Sequence, residues 1–249
     1  MPRRALIAGL GLIGGSIGKA IRARGWRVSY VDPNVSLDAA AAAGAADDRR
    51  ESIGGDFDVV ILATPVDVAR VQLRGITASL VTSVCSVMQP LREIARVDFV
   101  AGHPMAGSHE HGLGAARADL FEGKRWFVDA RDMTVEQLID DCGATMDLVD
   151  AAQHDDAVAI TSHIPQILAT ALAAYANGHD VVRYAGSGLR DFLRLAQSDA
   201  AVWRPIIEGN LDAINRHLDE MLTRVNEIID GDDSVFDAAH QFAEKIPRG

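Results

Sequence analysis

A glycine-rich turn between a short apolar run and a helix-like segment is the feature that most constrains the fold of this chain. The apolar run 4–8 leads into Gly9-Leu-Gly-Leu-Ile-Gly14, and a helical pattern continues to Arg24. In such a unit the first glycine permits a tight turn, the second lets a pyrophosphate approach the backbone, and the third allows the helix to pack closely on the strand. The pattern therefore predicts a dinucleotide-binding turn at the start of a parallel α/β sheet.

A second apolar run with an acidic residue at its end supports this interpretation. The run 27–31 is followed by Asp32, which stands where an acid hydrogen-bonds the ribose 2′-hydroxyl of NAD. Asp32 would repel a 2′-phosphate, and the residues that follow it, 33–36, include no arginine to accept one, so NAD is predicted rather than NADP. The alternative is that the glycines only turn a tight corner and that Asp32 caps the next helix.

Strand-like and helix-like segments alternate through the first half of the chain. This order predicts a Rossmann-type, doubly wound parallel sheet, whose ligands bind beyond the carboxyl ends of the strands. The predicted strands after the first two are 58–63, 79–84, 97–101, 125–128 and 147–149, and the predicted helices are 36–44, 66–73, 88–95 and 134–146. The predicted cofactor-binding residues are Gly9, Gly11, Leu12, Ile13, Gly14, Asp32, Ala63 and Thr64.

The second half of the chain has a helical pattern throughout. Segment 157–174 is apolar nearly all round and contains Pro165, which is expected to bend it near His163. Segment 203–228 carries apolar residues at helical spacing, which predicts one helix of about 40 Å that packs partly against a second subunit. We therefore predict an NAD-binding domain at 1–151 and an all-helical dimerisation domain at 152–249, in a homodimer.

Composition narrows the classes of partner and the compartment. The net charge is −11 and no dense Lys/Arg cluster occurs, which argues against nucleic acid and anionic membranes. No continuous apolar run approaches the roughly 20 residues of a membrane span, and the amino terminus has no pattern of a secretion signal. Cys85 and Cys142 stand far apart without a CxxC partner, so a reducing cytoplasm is expected, with neither a disulfide framework nor a zinc site.

Segment 101–112 contains three histidines, bracketed by glycines and a proline. His103 follows a predicted strand and is expected to lie beside the cofactor, where a histidine can take the proton of a substrate hydroxyl at neutral pH. One alternative is that His103 caps a turn. Another is a metal site of His103, His109 and His111, which is disfavoured because all three are on one loop with only Glu110 as a nearby carboxylate. No metal is therefore predicted.

Four motifs resemble, in order and spacing, those of the prephenate/arogenate dehydrogenase family of tyrosine biosynthesis: Gly9-Leu-Gly-Leu-Ile-Gly-Gly-Ser-Ile17, His103-Pro-Met-Ala-Gly-Ser108, Ser162-His-Ile-Pro165, and Arg190-Asp-Phe-Leu-Arg-Leu-Ala196 with Trp203. The resemblance covers almost the whole chain. It implies an enzyme that oxidises and decarboxylates a cyclohexadienol with NAD, and a dimer formed through the helical domain.

The resemblance also implies roles for individual residues. His103 matches the catalytic histidine that draws off the proton of the ring hydroxyl, and Ser86 matches a serine that helps to hold that hydroxyl. His163 and Trp203 match residues of the substrate pocket. Arg194 matches an arginine that binds a substrate carboxylate, a task for which the planar guanidinium is suited.

Two departures from the family pattern leave the substrate open. The chain reads Ser83-Val-Cys-Ser-Val-Met88 where relatives often have Asp-x-Gly-Ser-Val-Lys, and it has His109 where they commonly have an acid. His109 is accordingly predicted to contact and help select the substrate, whereas no role is predicted for His111. Prephenate is the first choice, with arogenate or an amino-substituted prephenate as alternatives.

Two further classes of protein are weighed against this one. A β-hydroxyacid dehydrogenase generally relies on a lysine in its helical domain, and here that half has only Lys245. A non-catalytic NAD-binding protein would use the same glycine turn without the histidine chemistry.

Overall fold

The protein is described by a computed structural model that covers residues 2–107 and 110–246. It divides into two compact units. The first comprises the described residues of 1–157 together with Gln197–Asn210, and the second comprises Val158–Ala196 and the described residues from Leu211 onward. These units differ from the predicted division after residue 151, because Gln197–Asn210 belongs to the first unit. The domain boundary itself stays a prediction.

The first unit is built on a six-stranded parallel sheet in the order β3-β2-β1-β4-β5-β6. Its strands are β1 Arg4–Ala8, β2 Arg27–Val31, β3 Asp48–Arg49, β4 Val59–Leu62, β5 Val81–Ser83 and β6 Phe99–Val100. The apolar residues of β1 and β4 are fully buried, as expected for central strands covered on both faces. The predicted doubly wound Rossmann-type fold is confirmed, with the strand order reversing between β1 and β4.

Helices occur in both units. They are α1 Leu12–Ala23, α2 Leu37–Ala42, α3 Val66–Gly75, α4 Gln89–Arg92, α5 Met133–Asp141, α6 Ala151–Val158, α7 Ile164–Asn177, α8 Ser187–Leu193, α9 Ala200–Gly209, α10 Leu211–Ile229 and α11 Ser234–Ala243. Side chains cap the N-termini of several of these helices. The hydroxyl of Ser36 accepts from the N–H of Ala39 at 3.2 Å, and Asp132 accepts from Thr134 and Val135 at the start of α5.

A second, three-stranded sheet carries His103. Its strands are β7 Gly102–Pro104, β8 Arg125–Val128 and β9 Thr145–Leu148, with β7 antiparallel and β9 parallel to β8. The prediction of one strand at 97–101 followed by a loop is therefore wrong, because the chain leaves the large sheet after Val100 and pairs again at Gly102. A Cβ on Gly102 would lie 2.8 Å from the carbonyl oxygen of Ser83, so this close crossing requires glycine.

The second unit contains the predicted proline-bent helix. A π-helical turn at Ala159–His163 precedes α7, and Pro165 is the second residue of α7. Because proline has no N–H, the α-helical hydrogen bond to the carbonyl of Thr161 cannot form, and a wider turn accommodates the break. His163 is buried at the end of this turn.

The predicted continuous helix over 203–228 is wrong. Helix α9 ends at Gly209, Asn210 has non-helical angles (φ −132°, ψ 27°), and α10 begins at Leu211. The side chain of Asn210 donates to the carbonyl oxygen of Asp155 at 2.6 Å, and a Cβ on Gly209 would lie 3.0 Å from Val87. These tertiary contacts end the helix although its apolar spacing continues.

One helical run in the described residues is long and apolar enough to cross a membrane by length and composition. It covers Ala151–Asn177, and an 18-residue stretch within it has a mean hydropathy of 1.4 with one-third of its residues buried. The sequence prediction concerned apolar runs, which polar residues interrupt here, whereas an average over 18 residues tolerates them. Core helices of soluble proteins meet the same criterion.

Candidate active site

The glycine turn has close backbone contacts on one side and open space on the other. Gly9 has φ +91°, and a Cβ there would lie 2.6 Å from the carbonyl oxygen of Ala63. A Cβ on Gly14 would lie 2.0 Å from the carbonyl oxygen of Gly9, whereas nothing lies within 4 Å of the Cβ position of Gly11. A phosphate group could therefore approach the backbone at Gly11 without hindrance.

The residues after this turn begin helix α1. Leu12 and Ile13 are its first residues, and Gly11 before them has no side chain with which to cap their N–H groups. The first N–H groups of a helix have no partner within the helix, and its N-terminus is electropositive. This end of α1 is therefore suited to a pyrophosphate.

Asp32 ties the end of β2 to the glycine turn. One carboxylate oxygen accepts from the N–H of Leu10 at 2.8 Å and the other from the N–H of Asn34 at 2.8 Å. An ionised carboxylate has about four acceptor sites, so both oxygens can also accept from ribose hydroxyls. Ala63 and Thr64 directly follow β4, next to the end of β1. These residues, at the point where the strand order reverses, fit a dinucleotide.

His103 lies in β7 and is held by a second histidine. It is paired with Phe127 of β8, and its Nδ1 lies 2.9 Å from Nε2 of His154 in α6. The Nδ1 atom of His154 lies 2.8 Å from a carboxylate oxygen of Asp155. His103 is thus the first member of a row of hydrogen-bonded side chains.

Ser86 follows β5, and a hydrogen bond connects β5 to β7. The N–H of Gly102, next to His103, donates to the hydroxyl of Ser83 at 3.4 Å. Cys85 is buried here, with its thiol 3.6 Å from the carbonyl oxygen of Thr64, and burial raises the pKa of this thiol to about 12. Such a thiol is protonated at neutral pH and is no nucleophile.

The remaining predicted site residues lie in several parts of the molecule. Trp203 is in α9 of the first unit, whereas His163 and Arg194 are in the second unit, Arg194 directly after α8. His109 lies outside the described residues. Within the described ranges, no group of three His, Cys, Asp or Glu side chains could hold a metal ion.

Sequence reasoning missed His154 and Asp155. Both are only 3% exposed, although they lie near the start of α6 in the polar stretch Gln153-His-Asp-Asp156. Neighbouring polar residues at a helix start usually indicate a solvated surface, and no spacing rule links them to His103. Only the pairing of β7 with β8 and the packing of α6 reveal the connection.

Two family models match consecutive parts of the chain. Residues 17–152 match the family model "prephenate dehydrogenase, nucleotide-binding domain", and residues 150–234 match "prephenate dehydrogenase, dimerization domain". The glycine turn at residues 9–14 lies before the first match.

Relatives with known names cover nearly the whole chain. The prephenate dehydrogenase of Bacillus subtilis is 35% identical over 90% of this chain and 68% of its own length, and that of Lactococcus lactis is 30% identical over 90% and 72%. Among solved structures, prephenate dehydrogenase from Aquifex aeolicus, in complex with hydroxyphenyl propionate and NAD+, is 25% identical with a TM-score of 0.85 over 98% of this chain and 97% of that one.

A Synechocystis arogenate dehydrogenase shares the fold, with a TM-score of 0.76 and 22% identity over 97% of this chain and 96% of that one. The family models, the identities and the fold agree with the motifs found in the sequence. The chain belongs to the prephenate dehydrogenase family.

Proposed function

We propose that this protein is an oxidoreductase that catalyses the NAD-dependent oxidative decarboxylation of prephenate to 4-hydroxyphenylpyruvate in tyrosine biosynthesis. The observation that carries the proposal is His103, hydrogen-bonded through Nδ1 in the same unit as a dinucleotide-type glycine turn. The relatives named prephenate dehydrogenase support it, as does the neighbouring structure that contains NAD+.

The glycine turn and Asp32 bind the cofactor in this proposal. The N-terminus of α1 faces the pyrophosphate, and Asp32 accepts hydrogen bonds from the ribose hydroxyls. Ala63 and Thr64 border the same site at the end of β4. Bound NAD supplies the acceptor for a hydride from the ring carbon that bears the hydroxyl group.

His103 moves the proton that the reaction requires. As the hydride leaves, the substrate O–H bond breaks, the proton goes to the imidazole, and the carbon–oxygen bond becomes a carbonyl. The ring carboxylate then leaves as carbon dioxide, and its electron pair passes through the ring to the carbonyl oxygen, which recovers a proton from His103. Ser86 holds the same oxygen by a hydrogen bond. Aromatisation of the ring makes the reaction effectively irreversible.

The other side chains bind the substrate. Arg194 pairs with a carboxylate of the substrate, and His163 and Trp203 contact the substrate. His109 helps to select between cyclohexadienols. Arogenate or an amino-substituted prephenate is the alternative substrate, since the substrate side chain decides which of these fits.

A spectrophotometric assay of NAD reduction, with prephenate and arogenate side by side, tests the function. We expect turnover with prephenate, and a fall of about two or more orders of magnitude in His103→Asn with unchanged NAD affinity. His111→Asn, an exposed neighbour, is the matched control and should retain full turnover. Unchanged turnover in His103→Asn would remove this residue from the mechanism, and reduction of NAD only with a β-hydroxyacid would replace the proposed activity.

Arg194→Gln tests the carboxylate contact. We expect this change chiefly to raise the KM for prephenate, because a guanidinium that binds the ground state contributes to substrate affinity. An effect on NAD affinity alone would contradict the proposed role.

We also propose a cytoplasmic homodimer formed through the second unit. The match to a dimerization domain over residues 150–234 supports this assembly. So does an apolar groove of about 640 Å³ in the second unit, lined among others by Ile160, Ile164, Leu168, Phe192 and Met221.

A further inference from the structure

His103 is the outer member of a row of three side chains that ends in a buried carboxylate. Nδ1 of His103 lies 2.9 Å from Nε2 of His154, and Nδ1 of His154 lies 2.8 Å from Oδ1 of Asp155. His154 and Asp155 are each 3% exposed. The ring of His154 also packs against Phe127 at 5.7 Å between centroids and stands edge-on to His103 at 5.1 Å. The row therefore runs from the proposed site into the interior of the first unit.

The backbone fixes the carboxylate at the inner end of the row. Oδ1 of Asp155 accepts from the N–H of Met88 at 2.8 Å, and Oδ2 accepts from the N–H of Gln89 at 2.8 Å. Asn210 donates to the backbone carbonyl of Asp155 at 2.6 Å and so holds the residue from a third side. Because both of its oxygens accept from backbone N–H groups, the carboxylate acts here as an acceptor. Nδ1 of His154 must therefore carry a proton and donate it to Asp155.

This donor fixes the positions of the other protons in the row. When His154 is neutral and protonated on Nδ1, its Nε2 has a lone pair and accepts a hydrogen bond. The partner atom, Nδ1 of His103, must then be the donor. A neutral His103 that is protonated on Nδ1 carries its remaining lone pair on Nε2, which is the form a general base requires.

We infer that His154 and Asp155 are positioning residues that hold His103 in the tautomer with a basic Nε2 and stabilise the positive charge it acquires during the reaction. The inference rests on the proposed function, in which His103 takes the hydroxyl proton and later returns it. When Nε2 receives the proton, the N–H bond at Nδ1 becomes a donor from a cation, and its hydrogen bond to His154 strengthens. Asp155 lies at the far end of the row and offsets the added charge.

The opposite arrangement has a distinct consequence. If His154 were doubly protonated, its Nε2 would donate to Nδ1 of His103, and a neutral His103 would carry its proton on Nε2. In that state His103 could not accept the hydroxyl proton. Within residues 2–107 and 110–246, the titratable side chains hydrogen-bonded to His154 are His103 of β7 and Asp155 of its own helix, and β8 contributes the apolar ring of Phe127.

Asp155→Asn tests the tautomer with little change in shape. The amide oxygen can still accept a backbone N–H, but the amide nitrogen donates toward His154 and reverses both hydrogen bonds in the row. We expect kcat to fall by about two to four orders of magnitude, with the KM for prephenate and NAD affinity within about threefold, as in other enzymes whose catalytic histidine is forced into the wrong tautomer. Asp150→Asn is the matched control, because its side chain caps the same helix at Ala152 and Gln153 and forms no hydrogen bond with the three side chains of the row. Its backbone carbonyl, which accepts from the N–H of His154, is unchanged by the substitution.

Two substitutions at His154 separate hydrogen bonding from packing. His154→Gln provides an amide oxygen that can accept from Nδ1 of His103, whereas His154→Phe fills the space without an acceptor. We expect the kcat of His154→Gln to be at least about tenfold higher than the kcat of His154→Phe. We also expect the acid limb of the pH–rate profile to shift in His154→Phe and Asp155→Asn but not in Asp150→Asn. Equal kcat and an unshifted profile in all variants would overturn the inference.

Nitrogen-15 NMR of the histidine rings in the wild-type protein gives a readout independent of turnover. At neutral pH we expect His103 to be protonated on Nδ1 and unprotonated on Nε2, and His154 to be protonated on Nδ1. A His103 protonated on Nε2 would overturn the inference even if the enzyme is active. If neither prephenate nor arogenate is turned over, the proposed function fails, and the ring spectra still decide whether the row sets this tautomer.

Discussion

Asp32 shapes the glycine turn, and we propose that the same carboxylate selects the cofactor. Its oxygens already accept from the N–H groups of Leu10 and Asn34, so the glycine turn is held in place before any nucleotide binds. Asp32→Asn removes the negative charge and leaves one acceptor oxygen. We expect the Kd for NAD to rise by about tenfold, the effect of one charge-assisted hydrogen bond. Fluorescence titration with NAD and NADP measures it, and tighter binding of NADP by the wild type would contradict this role.

Burial lowers the reactivity of the thiols of Cys85 and Cys142. Desolvation raises the pKa of each thiol from 9.0 to about 12. We therefore expect a thiol-specific reagent at pH 8 to label the native protein slowly and the unfolded protein fast. Rapid labelling of the native protein would show that the thiols are accessible.

The same shift predicts a pH dependence of stability. The folded pKa of each thiol lies above its unfolded value, so its contribution to stability is complete below about pH 9 and is lost as the pH rises toward 12. Urea denaturation at pH 8 and pH 10 should show a lower midpoint at pH 10. Cys142→Ala should reduce this difference, and an unchanged difference would assign it to other groups.

The turn between β1 and α1 contains glycines with different tasks, and a matched pair of substitutions separates them. In Gly14→Ala the new methyl group would meet the carbonyl of Gly9 at 2.0 Å, so we expect a loss of about 2 kcal/mol or more in the free energy of unfolding. In Gly11→Ala the methyl group meets nothing within 4 Å in the protein but would enter the space that we propose for the pyrophosphate. That variant should unfold like the wild type and bind NAD about tenfold or more weakly.

Thermal unfolding and NAD titration of both variants check this division. A destabilised Gly11→Ala, or a Gly11→Ala that binds NAD normally, would contradict the assignment of Gly11 to the cofactor. The test uses alanine in both positions, so the added volume is the same and only its surroundings differ.

Elements that were predicted well have local reasons for their bounds, and those that were not depend on distant residues. Strands β1 and β2 were predicted within a residue because Gly9 and Gly25 both have positive φ and end or precede them. The change from β6 to β7 is not predicted by the sequence, because the change of sheet at Gly102 depends on the close approach of this residue to Ser83. The break between α9 and α10 depends likewise on Asn210 and Asp155.

In the monomer, the second unit exposes many apolar side chains. On α10, Leu222 is 48% exposed, Val225 41% and Ile229 75%, and on α11 Phe242 is 60% exposed. Large exposed apolar patches usually mark interaction surfaces. We expect a homodimer in sedimentation velocity at micromolar concentration, and a shift toward monomer in Val225→Glu. Asn226→Glu adds the same charge at a polar neighbour and should remain dimeric. A wild-type monomer would contradict the proposed assembly.

Much of this protein follows from its sequence, because the physical causes are local. The glycine turn, the acid after β2, the buried central strands and the helical second half follow from the alternation of apolar segments and from backbone conformations that only glycine adopts. Together with the motif around His103, they were enough to predict the fold class and the family. Which cyclohexadienol is bound stays a prediction, as do the roles of the individual site residues.

The tertiary structure alone decided what surrounds His103. Nothing in the spacing of His103, His154 and Asp155 predicts that they form one row, because residues about fifty positions apart meet only after β7 has paired with β8 and α6 has packed beside them. The cost of burying a histidine and a carboxylate is offset only when each finds its partner, and the partner is supplied by the fold. The sequence predicted a histidine near the cofactor, and the tertiary structure supplied the hydrogen-bonding partners from which we infer which of its nitrogens acts as a base.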